Sequence, residues 1–305
     1  MYDVDILIVT YRAAEAAERC LKSVLNATLQ SDLSYRVTVL DNASGDGTAE
    51  RLNSAFPTVE VVARRTNGGF GLACNEGVNR TSGDYILMLN PDTEITPGVI
   101  EHMVEVLRIH SEVGIAGPRL VRLDGSIDHA AKRNSPGPRA ALRYMVGKQL
   151  GADWTSDYLA PDVDEYAFGY VDAINGAFMI MRRKDLTSVG LFDERYWMYG
   201  EDLDLCRRFR RNGLKVAYDG RVTAVHLKGA SSGQHRSMRV NWHFHRSMWI
   251  YFRDESPAPG RFVSALVAAG ILAHWAFTSL RGILALAKSQ AMQHNLTISS
   301  GTHGA

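Results

Sequence analysis

The chain has few cysteines and no pattern among them. Only three of its 305 residues are cysteine, namely Cys20, Cys74 and Cys206, and they lie far apart in no metal-binding or redox spacing. An odd number without a pattern suits a reducing compartment. The sequence also begins directly with the polar and apolar residues 3–6, without the basic and apolar regions of a signal peptide. We therefore expect a cytoplasmic protein.

An excess of charge of one sign is also lacking. The 34 Lys and Arg residues nearly balance the 33 Asp and Glu residues, which argues against nucleic acid as a partner. A hydrophobic content of 46% in 305 residues is enough for one large domain, or for one domain with appendages.

The third glycine of a dinucleotide-binding fingerprint is missing. Gly69 and Gly71 lie between an expected strand and an expected helix, but Cys74 occupies the third position of G-x-G-x-x-G. The pair also falls in the third strand–helix unit, whereas the fingerprint belongs to the first. A nicotinamide or flavin enzyme is therefore disfavoured, although the glycines still indicate close backbone approach or unusual dihedral angles.

Short apolar runs alternate with amphipathic segments through the first 90 residues or so. This alternation predicts an α/β fold whose mostly parallel sheet is built from right-handed βαβ units. Between residues 124 and about 169 the pattern loosens, as in functional or mobile loops. We expect strands at 6–9, 35–40, 59–63, 85–89, 113–117, 171–181 and 215–218, and helices at 13–27, 49–56, 72–80, 97–109, 139–150 and 203–212.

The apolar run at 85–89 is the strand around which a site can be built. Pro91 ends it, because proline cannot continue a sheet ladder, and Asp92 follows at the carboxyl end, where open α/β sheets bind ligands. A carboxylate there can hold a divalent cation that neutralises a diphosphate. The alternative is that Asp92 only caps the next helix.

A second acidic site follows a run of aromatic residues. Glu201 and Asp202 open an expected helix after Trp197 and its aromatic neighbours, which offer a platform for a sugar or an apolar acceptor. A carboxylate beside such a platform suits a general base, although acids at a helix N-terminus also stabilise the helix dipole. His226 ends a later strand, where a histidine can bind metal or be structural.

In their order along the chain these motifs resemble glycosyltransferase family 2, with its GT-A nucleotide-sugar fold, and most of all its bacterial rhamnosyltransferase-like members. The resemblance covers about residues 3 to 255. It rests on Thr10-Tyr11, Asp41-Asn42-x-Ser44-x-Asp46-Gly47-Thr48, Asn67-x-Gly69-Phe70-Gly71 with Asn75, Asn90-Pro91-Asp92, Gly200-Glu201-Asp202-x-Asp204 and His226.

The resemblance implies an inverting transferase that moves a sugar, preferably rhamnose, from a nucleoside-diphosphate sugar to a cell-envelope glycan or polyprenyl-linked acceptor. It implies that Asp92 and His226 serve a divalent metal, Mg²⁺ or Mn²⁺, and that Asp202, with Glu201, activates the acceptor hydroxyl. Gly176, Trp197 and Lys228 are candidates for acceptor or diphosphate contacts. The nucleotide sugar is expected to contact Thr10, Tyr11, Asp41, Asn67, Gly69, Asn75, Asn90 and Asp92.

Three points stay open in this interpretation. Asn90 replaces the first carboxylate of the usual Asp-x-Asp metal motif and contributes no charge. Asp41 can pair with N3–H of thymine or of uracil, so thymidine-diphosphate rhamnose is preferred on family likeness over a uridine-diphosphate sugar. The other functions considered are a catalytically silent nucleotide- or glycan-binding module and a sugar-phosphate nucleotidyltransferase.

The C-terminal quarter contains a long run without charged residues, from 262 to 280. We expect a GT-A domain over residues 1–255, with a nucleotide-sugar half to about 120 and an acceptor half at 121–255. Residues 256–288 would form a membrane-associating helix on the inner membrane face, anchored by Trp275, and 289–305 a disordered tail. A membrane span and a homodimer contact are the alternatives.

Overall fold

The structure is a computed structural model that describes residues 2–135, 156–227, 237–255 and 260–301, with side chains described as far as residue 283 and not at 156–157. The predicted helix at 139–150 and the candidate residue Lys228 lie outside these residues.

The described residues form eleven strands and eight helices. The strands are β1 Val4–Thr10, β2 Tyr35–Asp41, β3 Glu60–Ala63, β4 Tyr85–Leu89, β5 Thr93–Glu94, β6 Val113–Val121, β7 Lys132–Arg133, β8 Phe168–Val171, β9 Ala173–Ile174, β10 Phe178–Arg182 and β11 Lys215–His226. The helices are α1 Ala14–Thr28, α2 Thr48–Ala55, α3 Phe70–Arg80, α4 Val99–Ile109, α5 Arg183–Val189, α6 Glu201–Arg211, α7 Met238–Glu255 and α8 Arg261–Gly301.

A nine-stranded mixed sheet runs through the first part of the chain. Its order is β3-β2-β1-β4-β10-β6-β11-β5, and β8 pairs with β11. Strands β3, β2, β1 and β4 are parallel to one another. Strand β10 runs antiparallel to both of its neighbours, β4 and β6, and β6 pairs with β11 in parallel. β1 is buried along its whole length and β4 along nearly all of it, as the uninterrupted apolar runs predicted.

The strand register brings the candidate residues to one edge of the sheet. Thr10 lies opposite Asp41 at the carboxyl ends of β1 and β2. Leu89, the last residue of β4, lies opposite Phe178, the first residue of the antiparallel β10. The loops after β1, β2 and β4 and the loop before β10 therefore open at the same edge.

The later elements differ from the sequence prediction in several places. The single strand predicted at 171–181 is divided into β8, β9 and β10, because residues 175–177 turn back before β10. The strand predicted at 215–218 continues to His226 as β11, and helices α5 and α7 were not predicted.

The chain divides into two compact units, residues 1–231 and 232–305. The unit boundary therefore precedes α7, whereas the sequence suggested a boundary after residue 255. In the second unit α7 packs against α8 through an edge-to-face pair of Trp242 and Trp275, with ring centres 5.7 Å apart. The amide of Asn241 also donates hydrogen bonds to Thr278 and Ser279, at 3.1 and 2.9 Å.

Helix α8 is longer than predicted. Its backbone stays helical to Gly301, through the part predicted as a disordered tail, because no proline interrupts residues 289–301. Its section Arg261–Ile283 is, by length and composition alone, able to cross a membrane. Several large apolar side chains of that section are exposed, by 44 to 76%: Phe262, Val263, Leu266, Leu272, Phe277, Leu280 and Ile283.

Candidate active site

Asp41 is held in place by the loop that follows β2. It is 4% exposed, and its carboxylate accepts hydrogen bonds from the backbone N–H of Ser44, at 3.1 Å, and from the Ser44 hydroxyl. The Ser44 hydroxyl oxygen in turn accepts the backbone N–H of Arg12 at 2.7 Å. The ends of β1 and β2 thus form one connected surface around the carboxylate predicted to recognise a base.

Backbone strain is concentrated in the loops of this edge. Arg12, Ala43 and Tyr199 adopt positive φ angles of 51°, 62° and 69°, although none of them is glycine. Such conformations persist where the surrounding structure enforces them, often at functional sites. Thr10, just before this strained turn, is buried, whereas Tyr11 is 42% exposed.

Gly69 is required by the approach of another part of the backbone. Its φ is +97°, and a Cβ atom there would lie 2.2 Å from the carbonyl oxygen of Trp197. That oxygen accepts the backbone N–H of Phe70 at 2.9 Å, and the Asn67 side chain accepts the N–H of Gly69 at 3.1 Å. The close approach indicated by the sequence is therefore made by the loop before α6.

Gly69→Ala is expected to destabilise the fold by about 2 kcal/mol or more, because the left-handed backbone and the contact with the Trp197 carbonyl both oppose a side chain. Thermal denaturation measures the loss. The neighbouring Gly68→Ala is the control, since its Cβ would meet no backbone and only the ends of two flexible side chains, Leu72 and Arg64. Equal Tm values for the two variants would contradict this account of Gly69.

The side chain of Asn75, in α3, forms hydrogen bonds that hold the loop before α6. Its side-chain amide donates to the carbonyl oxygen of Phe192 and accepts the N–H of Phe192, both at 2.9 Å. The structure thus gives Asn75 a structural role, and its contact with a nucleotide sugar stays a prediction.

Asp92 and His226 lie together although 134 positions separate them in the sequence. Strand β5, which follows Asp92, pairs with the end of β11, so that the Oδ1 atom of Asp92 lies 3.4 Å from Nε2 of His226. Both side chains are buried. A carboxylate oxygen and an imidazole nitrogen facing each other suit a divalent cation such as Mn²⁺.

A third side chain, that of Asp128, completes this arrangement. Its Oδ2 atom lies 2.8 Å from Nδ1 of His226, and its side chain is fully buried. Burial alone lowers the pKa of His226, but the hydrogen bonds to Asp128 and Asp92 outweigh burial and raise the pKa to about 9. With Nδ1–H donated to Asp128, Nε2 is the nitrogen that faces Asp92, and a cation held between the two would take the place of the Nε2 proton.

Asp202 stands in the first turn of α6 with a basic partner. Its Oδ2 atom accepts from Nη2 of Arg133 at 2.6 Å and from the N–H of Gly176 at 3.3 Å, and its Oδ1 accepts the N–H of Leu203 at 2.8 Å. Arg133 also donates to the carbonyl oxygen of Ile174 at 2.6 Å. The carboxylate is thus fixed at the edge of the sheet where β10 begins.

Glu201, beside Asp202, is in a different environment. Its Oε2 atom is buried, and no described residue forms a hydrogen bond with it. Burial, together with the negative charge of Asp202, raises the pKa of Glu201 to about 8 despite the nearby Arg133. Among the described residues an arginine forms an ion pair with Asp202 and none does with Glu201, so the raised pKa keeps Glu201 largely protonated at neutral pH.

Glu201→Gln is expected to stabilise the protein increasingly as the pH rises. The pKa of Glu201 is higher in the folded chain than the ordinary value of 4.5. In the wild-type chain the contribution of Glu201 to the free energy of unfolding is therefore fully present below pH 4.5. This contribution is lost as the pH rises through about 8. The Tm difference between variant and wild type should grow from pH 5 to 8 and level off above; a constant difference would contradict a protonated Glu201.

Asn175 and Gly176 connect two sites. One is the pair Asp92 and His226, called here the metal-type site, and the other is the acidic site at Glu201 and Asp202. The Asn175 amide lies 3.5 Å from Oδ2 of Asp128, and the N–H of Gly176 points to Asp202. The N–H of Asn90 donates to the Ala177 carbonyl at 3.0 Å, which ties the loop after β4 to the same turn. The structure thus brings Asn90, Asp92, Gly176, Asp202 and His226 to one edge.

Asp128, Arg133 and Asn175 were missed in the sequence. Asp128 and Arg133 lie in the irregular stretch after residue 124, where no periodic pattern assigns a direction to a side chain. Neither residue belongs to a recognisable motif, so the only usable signal was the position of this stretch between two strands.

The comparisons with known proteins identify the family of this chain. The family model described as Glycosyl transferase family 2 matches residues 5–185, more than half of the chain. The chain belongs to glycosyl transferase family 2.

Two curated relatives are rhamnosyltransferases. The chain is 28% identical over 269 residues to the N-acetylglucosaminyl-diphospho-decaprenol L-rhamnosyltransferase of Mycobacterium tuberculosis, covering 83% of this chain and 85% of the relative. It is 25% identical over 254 residues to the rhamnosyltransferase WbbL of Escherichia coli K12, covering 79% of this chain and 89% of the relative.

A solved structure shows the fold of this family 2 chain. The mannosyltransferase PcManGT from Pyrobaculum calidifontis, in complex with GDP-Man and Mn²⁺, superposes with a TM-score of 0.59 at 16% identity and covers 99% of this chain and 79% of its own. The predicted GT-A fold is confirmed, and the chain is a glycosyltransferase by family.

Proposed function

We propose that the protein is an inverting, metal-assisted glycosyltransferase that moves a sugar from a nucleoside-diphosphate sugar to an acceptor hydroxyl. The observation that carries the proposal is the placing of two different carboxylate sites at one edge of the sheet. Asp92 faces an imidazole, and Asp202 lies beside the turn at Gly176. A silent binding module needs the first site only, whereas transfer also needs a base.

Each site has its own task in this reaction. Asp92 and His226 would hold a divalent cation, with Asn90 nearby as an uncharged neighbour, and a cation bound there would supply the positive charge that neutralises the departing diphosphate. Asp202 accepts the proton of the attacking hydroxyl. A single displacement with base and leaving group on opposite sides inverts the anomeric centre.

The donor is proposed as thymidine-diphosphate rhamnose, with a uridine-diphosphate sugar as the second choice. Support comes from the two rhamnosyltransferase relatives and from Asp41, whose fixed carboxylate can accept N3–H of either base. A cell-envelope glycan or polyprenyl-linked sugar is proposed as the acceptor, because the Mycobacterium tuberculosis relative is named for a decaprenol-linked substrate.

Thermal denaturation with a panel of nucleoside diphosphates and nucleotide sugars, each with and without Mn²⁺, tests the donor site. We expect the thymidine or uridine compounds to raise Tm, by an amount that follows their affinity, and to do so more with Mn²⁺. A chain that no nucleotide stabilises at millimolar concentration would contradict the proposal.

The second unit is proposed to hold the protein on the inner face of the cytoplasmic membrane. Helix α8 presents Phe262 and Leu266 at 76% and 57% exposure, within a run of 19 residues free of Asp, Glu, Lys and Arg. Exposed apolar side chains on one helix suit the interface of a lipid bilayer.

Replacing Phe262 and Leu266 together by Glu should strongly reduce the fraction of protein that sediments with phosphatidylglycerol vesicles. Leu29→Glu is the control, because Leu29 is 78% exposed and lies in the first unit. The membrane proposal is wrong if the wild-type chain does not bind vesicles and instead forms a concentration-dependent dimer that the double variant does not form. In that case α8 is a homodimer contact.

A further inference from the structure

The stretch of residues 127–133, which the sequence left as irregular, is ordered, and four of its seven residues are buried: Asp128, Ala131, Lys132 and Arg133. Ile127 forms a β-bridge with Val121, and the N–H of Asp128 donates to the carbonyl oxygen of Leu120 at 2.8 Å. At the other end of the stretch β7 pairs with β9, with Arg133 opposite Ala173. We call these seven residues the 127–133 segment.

Near its start the segment contacts the metal-type site. Besides His226, the carboxylate of Asp128 accepts the N–H of Ala130 at 3.1 Å and is fully buried. Because the carboxylate of Asp128 is fixed in this way, its hydrogen bond holds the imidazole ring of His226 in one orientation. Carboxylates on the far nitrogen of a metal-binding histidine set its tautomer and its orientation.

Its last residue contacts the acidic site. The side chain of Arg133 is only 8% exposed and binds Asp202 and the Ile174 carbonyl with the same nitrogen, Nη2. Removing one partner of a buried ion pair leaves the other without compensation. The position of the Asp202 carboxylate therefore depends on Arg133.

We propose that the 127–133 segment positions both halves of the active site, Asp128 by fixing His226 and Arg133 by fixing Asp202. The inference rests on the proposed transferase function and deepens it. Neither residue touches reacting atoms in this account, so both are positioning residues. Variants of the two should damage different steps, since one acts on the metal and the other on the base.

Asp128→Asn tests the first half without any turnover. With the uncharged amide in place of the carboxylate, the affinity for Mn²⁺ should fall about 10–100-fold, as for other second partners of metal-binding histidines. Free Mn²⁺ is measured by electron paramagnetic resonance with thymidine diphosphate present. Asp219→Asn is a matched control, because Asp219 is equally buried and lies 2.8 Å from the imidazole of His102.

Arg133→Lys tests the second half. An ammonium group cannot reproduce the geometry of a guanidinium, so kcat should fall roughly 10–100-fold with Mn²⁺ affinity and donor KM unchanged. Arg183→Lys is its control, since Arg183 binds the buried Asp5 at 2.7 Å through a similar ion pair. That variant should lower Tm and leave kcat alone.

Each of the two experiments has a result that would contradict the inference. Equal Mn²⁺ affinities of Asp128→Asn and Asp219→Asn, or no Mn²⁺ binding by the wild-type chain, would contradict it. So would a kcat for Arg133→Lys no lower than that for Arg183→Lys. If the chain binds Mn²⁺ but transfers no sugar, a loss of affinity in Asp128→Asn still supports the positioning of His226, while the proposed function fails.

Discussion

Asp202→Asn is expected to lower kcat for sugar transfer by roughly 10²–10⁴-fold, the usual cost of removing a general base. The affinity for the donor should stay nearly unchanged, because the base acts in the transition state and not in donor binding. Asn keeps the size of Asp and can still accept the N–H of Leu203, so the first turn of α6 should remain in place. Steady-state kinetics and calorimetric donor binding measure the two effects.

Asp185→Asn is the matched control for this variant. Asp185 also lies in the first turn of a helix and is paired with an arginine, Arg182, at 2.5 Å. Its variant should lose only the small stabilisation of that pair and keep full activity. If Asp202→Asn weakened donor binding as much as Asp92→Ala, the assignment of the base to Asp202 would be wrong.

Asp92→Ala is expected to damage donor binding and turnover together. The variant removes one of the two side chains proposed to hold the cation, so the affinity for a nucleoside diphosphate with Mn²⁺ should fall by at least about 100-fold. Isothermal titration of thymidine diphosphate, with Mn²⁺ and with EDTA, measures this loss.

The EDTA arm makes the test specific to the metal. EDTA should lower the affinity of the wild-type chain to nearly that of Asp92→Ala, and it should have little further effect on the variant. A wild-type chain whose nucleotide affinity does not respond to EDTA would contradict the metal role of Asp92. A variant that loses affinity but keeps its response to EDTA would instead show that the cation binds elsewhere.

The sequence predicted the first half of the fold well because its central strands, β1 and β4, are buried on both faces. Such strands read as unbroken apolar runs, and the carboxyl ends of parallel strands meet at one edge whatever the details of the loops. The position of Asp92 at that edge followed from the proline that ends β4. His226 could not be placed beside Asp92 from the sequence, because their contact depends on the pairing of β5 with β11.

The sequence did not predict individual contacts between residues that lie far apart in the chain. Gly69 was interpreted as a site of close approach, but nothing in the sequence showed that the neighbour is the carbonyl of Trp197. Asp128 and Arg133 act through partners about 98 and 69 positions away. Helix α7 was missed because its buried face mixes apolar residues with Asn241 and His245, which satisfy their polar atoms against α8 or within the helix.

The most direct test is product analysis by NMR after incubating the full-length chain with thymidine-diphosphate rhamnose, Mn²⁺ and a polyprenyl-diphosphate-linked amino sugar. The account predicts thymidine diphosphate and a glycoside whose anomeric configuration is opposite to that of the donor, with no transfer by Asp202→Asn. The panel is extended to uridine-diphosphate sugars if rhamnose is not accepted. Retained configuration, release of inorganic diphosphate in place of a nucleoside diphosphate, or binding without turnover of any donor would contradict it.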